Sequence, residues 1–384
     1  MYRKKLLIIG AGNLCLQILQ ILAPRNTFQF CVGSRDLEKT TRMCNLIRLG
    51  ALQLGVNCSI SALEINLDDI DRTAETLAAT KPDLIVNCAS LQSWRIITQL
   101  PKAHFEALDQ AQFGPWLPMH LAPAYNLMQA IAKSGLRRSG VAVINAAFPD
   151  AVNAVLGKVN LAPDIGIGNV ANLIPATRMA IAKLGSVLPE QVQVKLVAQH
   201  YFSHYVPRAG LPPQAHYNLT YRVNGDDWTG KLQDAHIFHL VRTEFRRLGG
   251  VDGQFLTAAS AVSVISNIFS MDEVEVHAPG PHGLPGGYPV KLGMGLVVLA
   301  LPNGFSRADA IALNELGQCQ DGIESIKPNG SVQFESKQTS IMKAQLRFDM
   351  PFMRLNDVHQ WADELGQKYK SYAEKARQGY PVWR

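Results

Sequence analysis

The run Gly10-Ala11-Gly12-Asn13-Leu14-Cys15 follows an apolar stretch, Leu6–Ile9, and opens a second stretch with helical periodicity. Glycine at 10 permits a tight turn, and glycine at 12 lets the backbone approach a bulky anion. A helix starting there points free N–H groups and its positive dipole end at that anion. Strand, turn and helix in this order predict a dinucleotide site with Gly10, Gly12, Asn13 and Leu14 against the pyrophosphate; the competing reading is a glycine turn that binds nothing. Cys15 stands at the third glycine position and is small enough for close helix–strand packing. Gly33-Ser34-Arg35 ends the next apolar run, about 25 residues on, where an NAD site wants a carboxylate for the ribose hydroxyl. Here Ser34 can donate to a 2′-phosphate and Arg35 can hold its charge bidentately, so the expected cofactor is NADP, with NAD less favoured. Asp36 comes one position late. Ala89 and Ser90 follow a fourth apolar run, at the strand end where ligands sit in doubly wound sheets, or where small residues simply pack.

Four further residues are candidates for proton transfer. Asp150 follows the fifth apolar run together with Asn153; it is placed to hold an amine or move a proton, or else to cap a helix. His200-Tyr201-Phe202-Ser203-His204-Tyr205-Val206-Pro207-Arg208 gathers two imidazoles, two phenols and a guanidinium. His200 and His204 titrate near neutrality and Arg208 suits a carboxylate; read as part of a strand, the same run is a packed sheet face. Pro279 to Pro289 holds four glycines and four prolines and is expected to be an irregular loop, offering His282 and Tyr288 to a site or merely crossing the surface. No Tyr is followed by Lys four residues later, no Cys falls between 88 and 319, and no HExxH motif occurs. The acid pair of short-chain reductases, a thiol nucleophile early in the second domain and a metal site are therefore not expected.

The elements that must position these residues follow from periodicity. Strands are expected at Leu6–Ile9, Phe28–Val32, Asn57–Ile65, Leu84–Asn87 and Val141–Asn145, with helices between them, the last opened by Pro123. That alternation predicts an α/β fold: an N-terminal Rossmann-type doubly wound parallel sheet over 1–150. Beyond it the pattern changes to strands at Val192–Ala198, Tyr217–Val223 and Val274–His277, hairpin turns at Asn224-Gly225-Asp226 and Pro328-Asn329-Gly330, and helices at Phe255–Ile268 and Arg307–Gln318. This predicts an α+β substrate domain over 151–350. A final amphipathic helix, Leu355–Ala376 within 351–384, is expected to return to the first domain.

Gly10-Ala11-Gly12, Gly33-Ser34-Arg35, Lys81-Pro82-Asp83-Leu84-Ile85-Val86-Asn87 and Phe148-Pro149-Asp150-Ala151-Val152-Asn153 resemble the saccharopine dehydrogenase-like NAD(P) oxidoreductases. The resemblance covers about the first 155 residues and departs at Cys15 and at Asp150, where the family has glycine. It implies hydride transfer at a carbon bearing nitrogen, on an amino acid or oxo acid, and carries over no second-domain catalytic residue. A non-catalytic NADPH sensor and a reductase of a simple carbonyl or cyclic imine are the alternatives.

Composition bounds the partners. The chain is 47% hydrophobic and 18% charged with a net charge of +6, an ordinary globular balance. Its short basic runs lack interleaved aromatics, so no nucleic acid is expected. No apolar stretch approaches the roughly 18 residues of a membrane span. Arg3-Lys4-Lys5 before Leu6–Ile9 imitates a signal peptide, but Asn13, Gln17 and Gln20 interrupt the apolar region. Six cysteines without a CxxC pair read as core thiols of a cytoplasmic protein. The expected partner is a small-molecule substrate, with a homodimer an open option.

Overall fold

Alternation within single strands decides the layering. In β1 (Lys5–Ile9), Leu7 and Ile9 enter one core while Leu6 and Ile8 enter another on the opposite face. The computed structural model describes residues 3–381, apart from the side chains of Trp94 and Arg95. After β1 come α1 (Asn13–Leu22), β2 (Gln29–Ser34), α2 (Leu37–Gln53), β3 (Ile60–Glu64), α3 (Ile70–Thr80), β4 (Leu84–Asn87), α4 (Lys102–Asp109), α5 (Leu117–Ser134), β5 (Ala142–Asn145), α6 (Pro149–Gly157) and β6 (Ile165–Gly166). The six strands are parallel in the order β3-β2-β1-β4-β5-β6, so the strand order reverses between β1 and β4. This is the doubly wound Rossmann sheet, and it continues past residue 150 to take in β6.

The chain then forms α7 (Ile174–Gly185), β7 (Val192–Ala198), α8 (His200–Ala209), β8 (Tyr217–Val223), β9 (Asp226–Asp227), α9 (Asp234–Arg242), α10 (Gln254–Asn267), β10 (Val274–Pro279), β11 (Gly287–Gly293), β12 (Leu296–Leu299) and α11 (Arg307–Gln320). Its antiparallel sheet has the order β10-β11-β7-β8-β9, with β12 on β11. Asn224 and Gly225, at φ 52° and 88°, supply the left-handed turn between β8 and β9. A third sheet combines β13 (Ile323–Ile326), β14 (Val332–Phe334) and, after α12 (Ser336–Leu346), β15 (Phe352–Met353). The last helix, α13 (Val358–Arg377), packs on α5 and puts Leu365, Tyr369, Tyr372 and Ala376 into the same core as Phe334 of the third sheet.

Three local expectations need correction. The segment 200–208 is helical throughout: its alternation of His200, Phe202, His204 and Val206 imitates a strand. The Gln199 side chain instead accepts the Tyr201 N–H and starts α8, which buries Phe202, Ser203 and Val206. The stretch 279–289 is only partly irregular, because β10 runs to Pro279 and β11 begins at Gly287. Pro123 does not open its helix; α5 begins at Leu117 with Pro118 in its first turn. Pro123 has no N–H to give to the Met119 carbonyl one turn back, and the Leu91 N–H takes that carbonyl at 2.9 Å. The proline thereby pins the loop after β4 onto α5. No helix among the described residues is long and apolar enough to cross a membrane.

Candidate cofactor cavity and active site

At the carboxyl ends of β1, β2 and β4 lies a cavity of about 430 Å³, lined by Gly10, Gly12, Ser34, Arg35, Asp36, Lys39, Asn66, Ala89, Ser90, Leu91 and Pro123, among others. Gly10, at φ 102°, lies so close to β4 that a Cβ there would stand 2.7 Å from the Ala89 nitrogen. A Cβ on Gly12 would meet nothing within 4 Å. Gly12 is also the N-cap of α1 and offers no side-chain cap, so the first-turn N–H groups stay available at the cavity. These features fit the pyrophosphate of a dinucleotide. Asn13 sends its amide away, to Gln254 of α10 at 2.7 Å, and Leu14 packs at the edge of a core, so any contact they make to phosphate is through their backbone.

The second-strand end is more committed than its sequence suggests. The Ser34 hydroxyl lies 2.6 Å from that of Thr40 and also accepts the Asp36 N–H. The Asp36 carboxylate caps α2 by accepting the Lys39 N–H at 2.9 Å. Arg35 and Lys39 are the two cations lining this end.

A second constellation lies beyond the ends of β4 and β5. Asp321, at the end of α11 and buried, accepts from His200 Nδ1 at 2.8 Å, from Gln199 Nε2 at 3.1 Å and from the Phe113 N–H at 3.3 Å. Phe113 packs on His200, His120 and Phe148 with ring centroids 4.8, 5.2 and 4.3 Å away. Phe148 itself holds φ 44°, a left-handed conformation unusual for a bulky residue and of the kind that clusters at functional sites. Because Phe148 is the N-cap of α6, Asp150 lies inside the first turn, and the cap reading of Asp150 falls. Burial pushes the Asp150 carboxyl up to about 6, partly opposed by His200 and by the Asn169 amide that donates to Oδ2; Oδ1 has no partner. His204 stacks on His200 at 5.6 Å and accepts from Arg208 Nη1 at 2.6 Å, while Arg208 pairs with Asp109 of α4.

Buried amides run from the cavity to the first turns of α6, the helix that carries Asp150. Ala89 N–H donates to Asn87 Oδ1, Asn87 Nδ2 to Asn145 at 3.0 Å, Asn145 Nδ2 to Asn153 at 2.8 Å, and Asn153 Nδ2 to the Gly280 carbonyl at 3.0 Å. His120 stands one turn before the cavity-lining Pro123. Asp150, His200 and His204 are thus brought together, whereas His282 lies apart: its Nε2 donates to the Val297 carbonyl of β12 at 2.7 Å. Tyr288 is fully buried and donates to the Pro285 carbonyl. Sequence reasoning missed Asp321, His120 and Phe113; nothing in a helix-ending Asp-Gly pair or a lone helical histidine marks them. Burial holds Cys88, beside the cavity, as a thiol by pushing it up to about 12. Among the described residues no group of three or more His, Cys, Asp or Glu could hold a metal ion. A larger cleft of about 700 Å³ lies on the second sheet, but its Lys195 is tied to Glu275 and Ala300, and its His277 accepts the Leu196 N–H.

No protein-family model matches the chain, and no curated protein matches it in sequence. Solved structures do resemble it. The lactate dehydrogenase of Cryptosporidium parvum, complexed with lactic acid and β-nicotinamide adenine dinucleotide, is 15% identical over 84% of this chain and 99% of its own, with TM-score 0.52. The malate dehydrogenase of Salinibacter ruber is 15% identical over 96% and 99%, with TM-score 0.53. The lactate dehydrogenase of Eimeria maxima, with NADH and oxamate, is 13% identical over 83% and 92%, with TM-score 0.52. The chain shares their fold. This likeness supports the Rossmann architecture and adds nothing for the saccharopine dehydrogenase-like family in particular.

Proposed function

We propose that the protein is a nicotinamide-dependent oxidoreductase acting on a small carbonyl or imine, or on the corresponding alcohol or amine. The observation that carries this reading is the His200–Asp321 pair in an aromatic box whose His120 stands one helical turn before Pro123, at the edge of a glycine-cradled cavity. Gly10, Gly12 and the first turn of α1 would hold the pyrophosphate, with Ala89 and Ser90 alongside. The bound cofactor supplies or accepts the hydride. Asp321 orients the His200 ring by accepting from Nδ1, and the ring would give a proton to the substrate heteroatom or take one from it. Phe113 and Phe148 exclude water, and Asp150 is the second group able to hold a proton near neutral pH.

For the cofactor we favour NADP: Arg35 and Lys39 suit a 2′-phosphate, and the first carboxylate after the strand, Asp36, is occupied as a helix cap. On the other side stand the names of two structural neighbours, which carry NAD or NADH. Reaction at an amino-acid C–N bond is a narrower form of the proposal, and those neighbours' names do not support it. Calorimetric titration with NADPH and NADH, followed by a hydride-transfer assay on aldehydes, oxo acids and cyclic imines, tests the reading. Tighter NADPH binding with turnover of one class is expected. Binding without any turnover would favour a sensor, and no binding of either nucleotide would end the proposal.

A further inference from the structure

His120 is the least explained polar side chain near the candidate site. It is 6% exposed on α5, and neither Nδ1 nor Nε2 has a hydrogen-bond partner. Buried polar groups are nearly always paired, and those left unpaired in a native fold mark a place completed by something else. Its surroundings say where that place is. The ring stacks on Phe113, which also carries His200, and lies 6.3 Å from Phe148. Asp150 Oδ1 is likewise buried and unpartnered. So is Gln92 Nε2, and Gln92 follows the Leu91 whose N–H bonds the carbonyl of Met119, next to His120. Burial pushes the His120 imidazole down to about 4, so the ring is neutral, with one donor and one acceptor nitrogen.

We propose that His120 contacts the substrate, one ring nitrogen bonding a hydroxyl or amino group carried beside the reacting carbon. The proposal rests on the oxidoreductase reading and deepens it. A hydroxyl or amine can give or take a hydrogen bond and so satisfies whichever imidazole nitrogen faces it, whereas a methyl leaves that nitrogen unsatisfied. A site built to bond such a group rejects the analogue lacking it far more strongly than an apolar pocket separates two alkyl groups. His200 then serves the reacting heteroatom, and His120 selects which molecules present it.

The test uses matched pairs, lactaldehyde against propionaldehyde and hydroxypyruvate against pyruvate, with NADPH and this 384-residue chain. Wild type is expected to prefer the hydroxylated member by at least about tenfold in kcat/KM. His120→Phe should abolish that preference by slowing the hydroxylated member, leave NADPH affinity within about twofold, and melt no lower than wild type. His120→Asn should keep part of the preference. An unchanged preference in His120→Phe, or a melting temperature lowered by more than about 5 °C, overturns the assignment in favour of a packing role. Wild type that binds NADPH yet turns over neither pair counts against the carbonyl-reducing reading. The melting comparison then decides alone whether the ring nitrogens are reserved for a ligand.

Discussion

The cofactor cavity and the aromatic box are built by opposite means. The cavity comes mainly from four strand ends within the first 90 residues, each followed by its own turn, with Leu91 and Pro123 at its edge, so short runs of sequence largely suffice to shape it. The box draws Phe113, His120, Phe148, His200 and Asp321 from five separate segments, and its central hydrogen bond spans 121 residues. A cradle made of backbone tolerates little local change but is indifferent to distant ones. A site made of side chains from many elements depends on every contact that orients those elements.

Substitutions can break that contrast or sharpen it. Gly10→Val has the largest expected effect, since its Cβ would overlap the β4 backbone at a positive φ; NADPH binding by calorimetry should be lost altogether. Asp321→Asn should lower turnover by roughly 10²- to 10⁴-fold while leaving cofactor affinity within about twofold, separating the two regions in one protein. If cofactor affinity falls equally, the regions are one. Asp150→Asn tests the cost of the box. The folded carboxyl titrates near 6, above its unfolded value near 3.8, so the cost of burying its charge is absent below pH 4 and complete above pH 6. Denaturant melts should show this variant more stable than wild type by about 2–3 kcal/mol at pH 8 and equal to it at pH 3.5. Arg35→Ala should weaken NADPH about tenfold and leave NADH unchanged, as removal of one phosphate-binding cation requires. His282→Ala, outside both regions, should change turnover by less than about twofold.

What could be read from the sequence follows the same division. Leu84–Asn87, Val192–Ala198 and Tyr217–Val223 form strands over the expected residues, because each is a short apolar or alternating run closed by turn-forming residues. The glycine turn is legible for the same reason: its chemistry and its neighbours are contiguous. His200 was visible as a reactive type but not as the partner of Asp321, since no local pattern encodes a contact between α8 and the end of α11. The helical state of 200–209 was hidden because its aromatic alternation satisfies a period of two as well as an i, i+4 face. Pro123 misled in another way: a proline ordinarily ends or opens a helix, and here a distant N–H, that of Leu91, takes the carbonyl it frees.

The packing of α13 on α5 also has a consequence for biosynthesis. Translation finishes α5 at Ser134 and reaches Val358 only after roughly 10–45 s at ordinary elongation rates. Throughout that interval the surface of the nascent chain that Leu365, Tyr369 and Tyr372 will cover stands open on the ribosome. The helix bearing His120 therefore stays incompletely covered until then, and a chain released before residue 358 would leave that wall of the aromatic box unsupported.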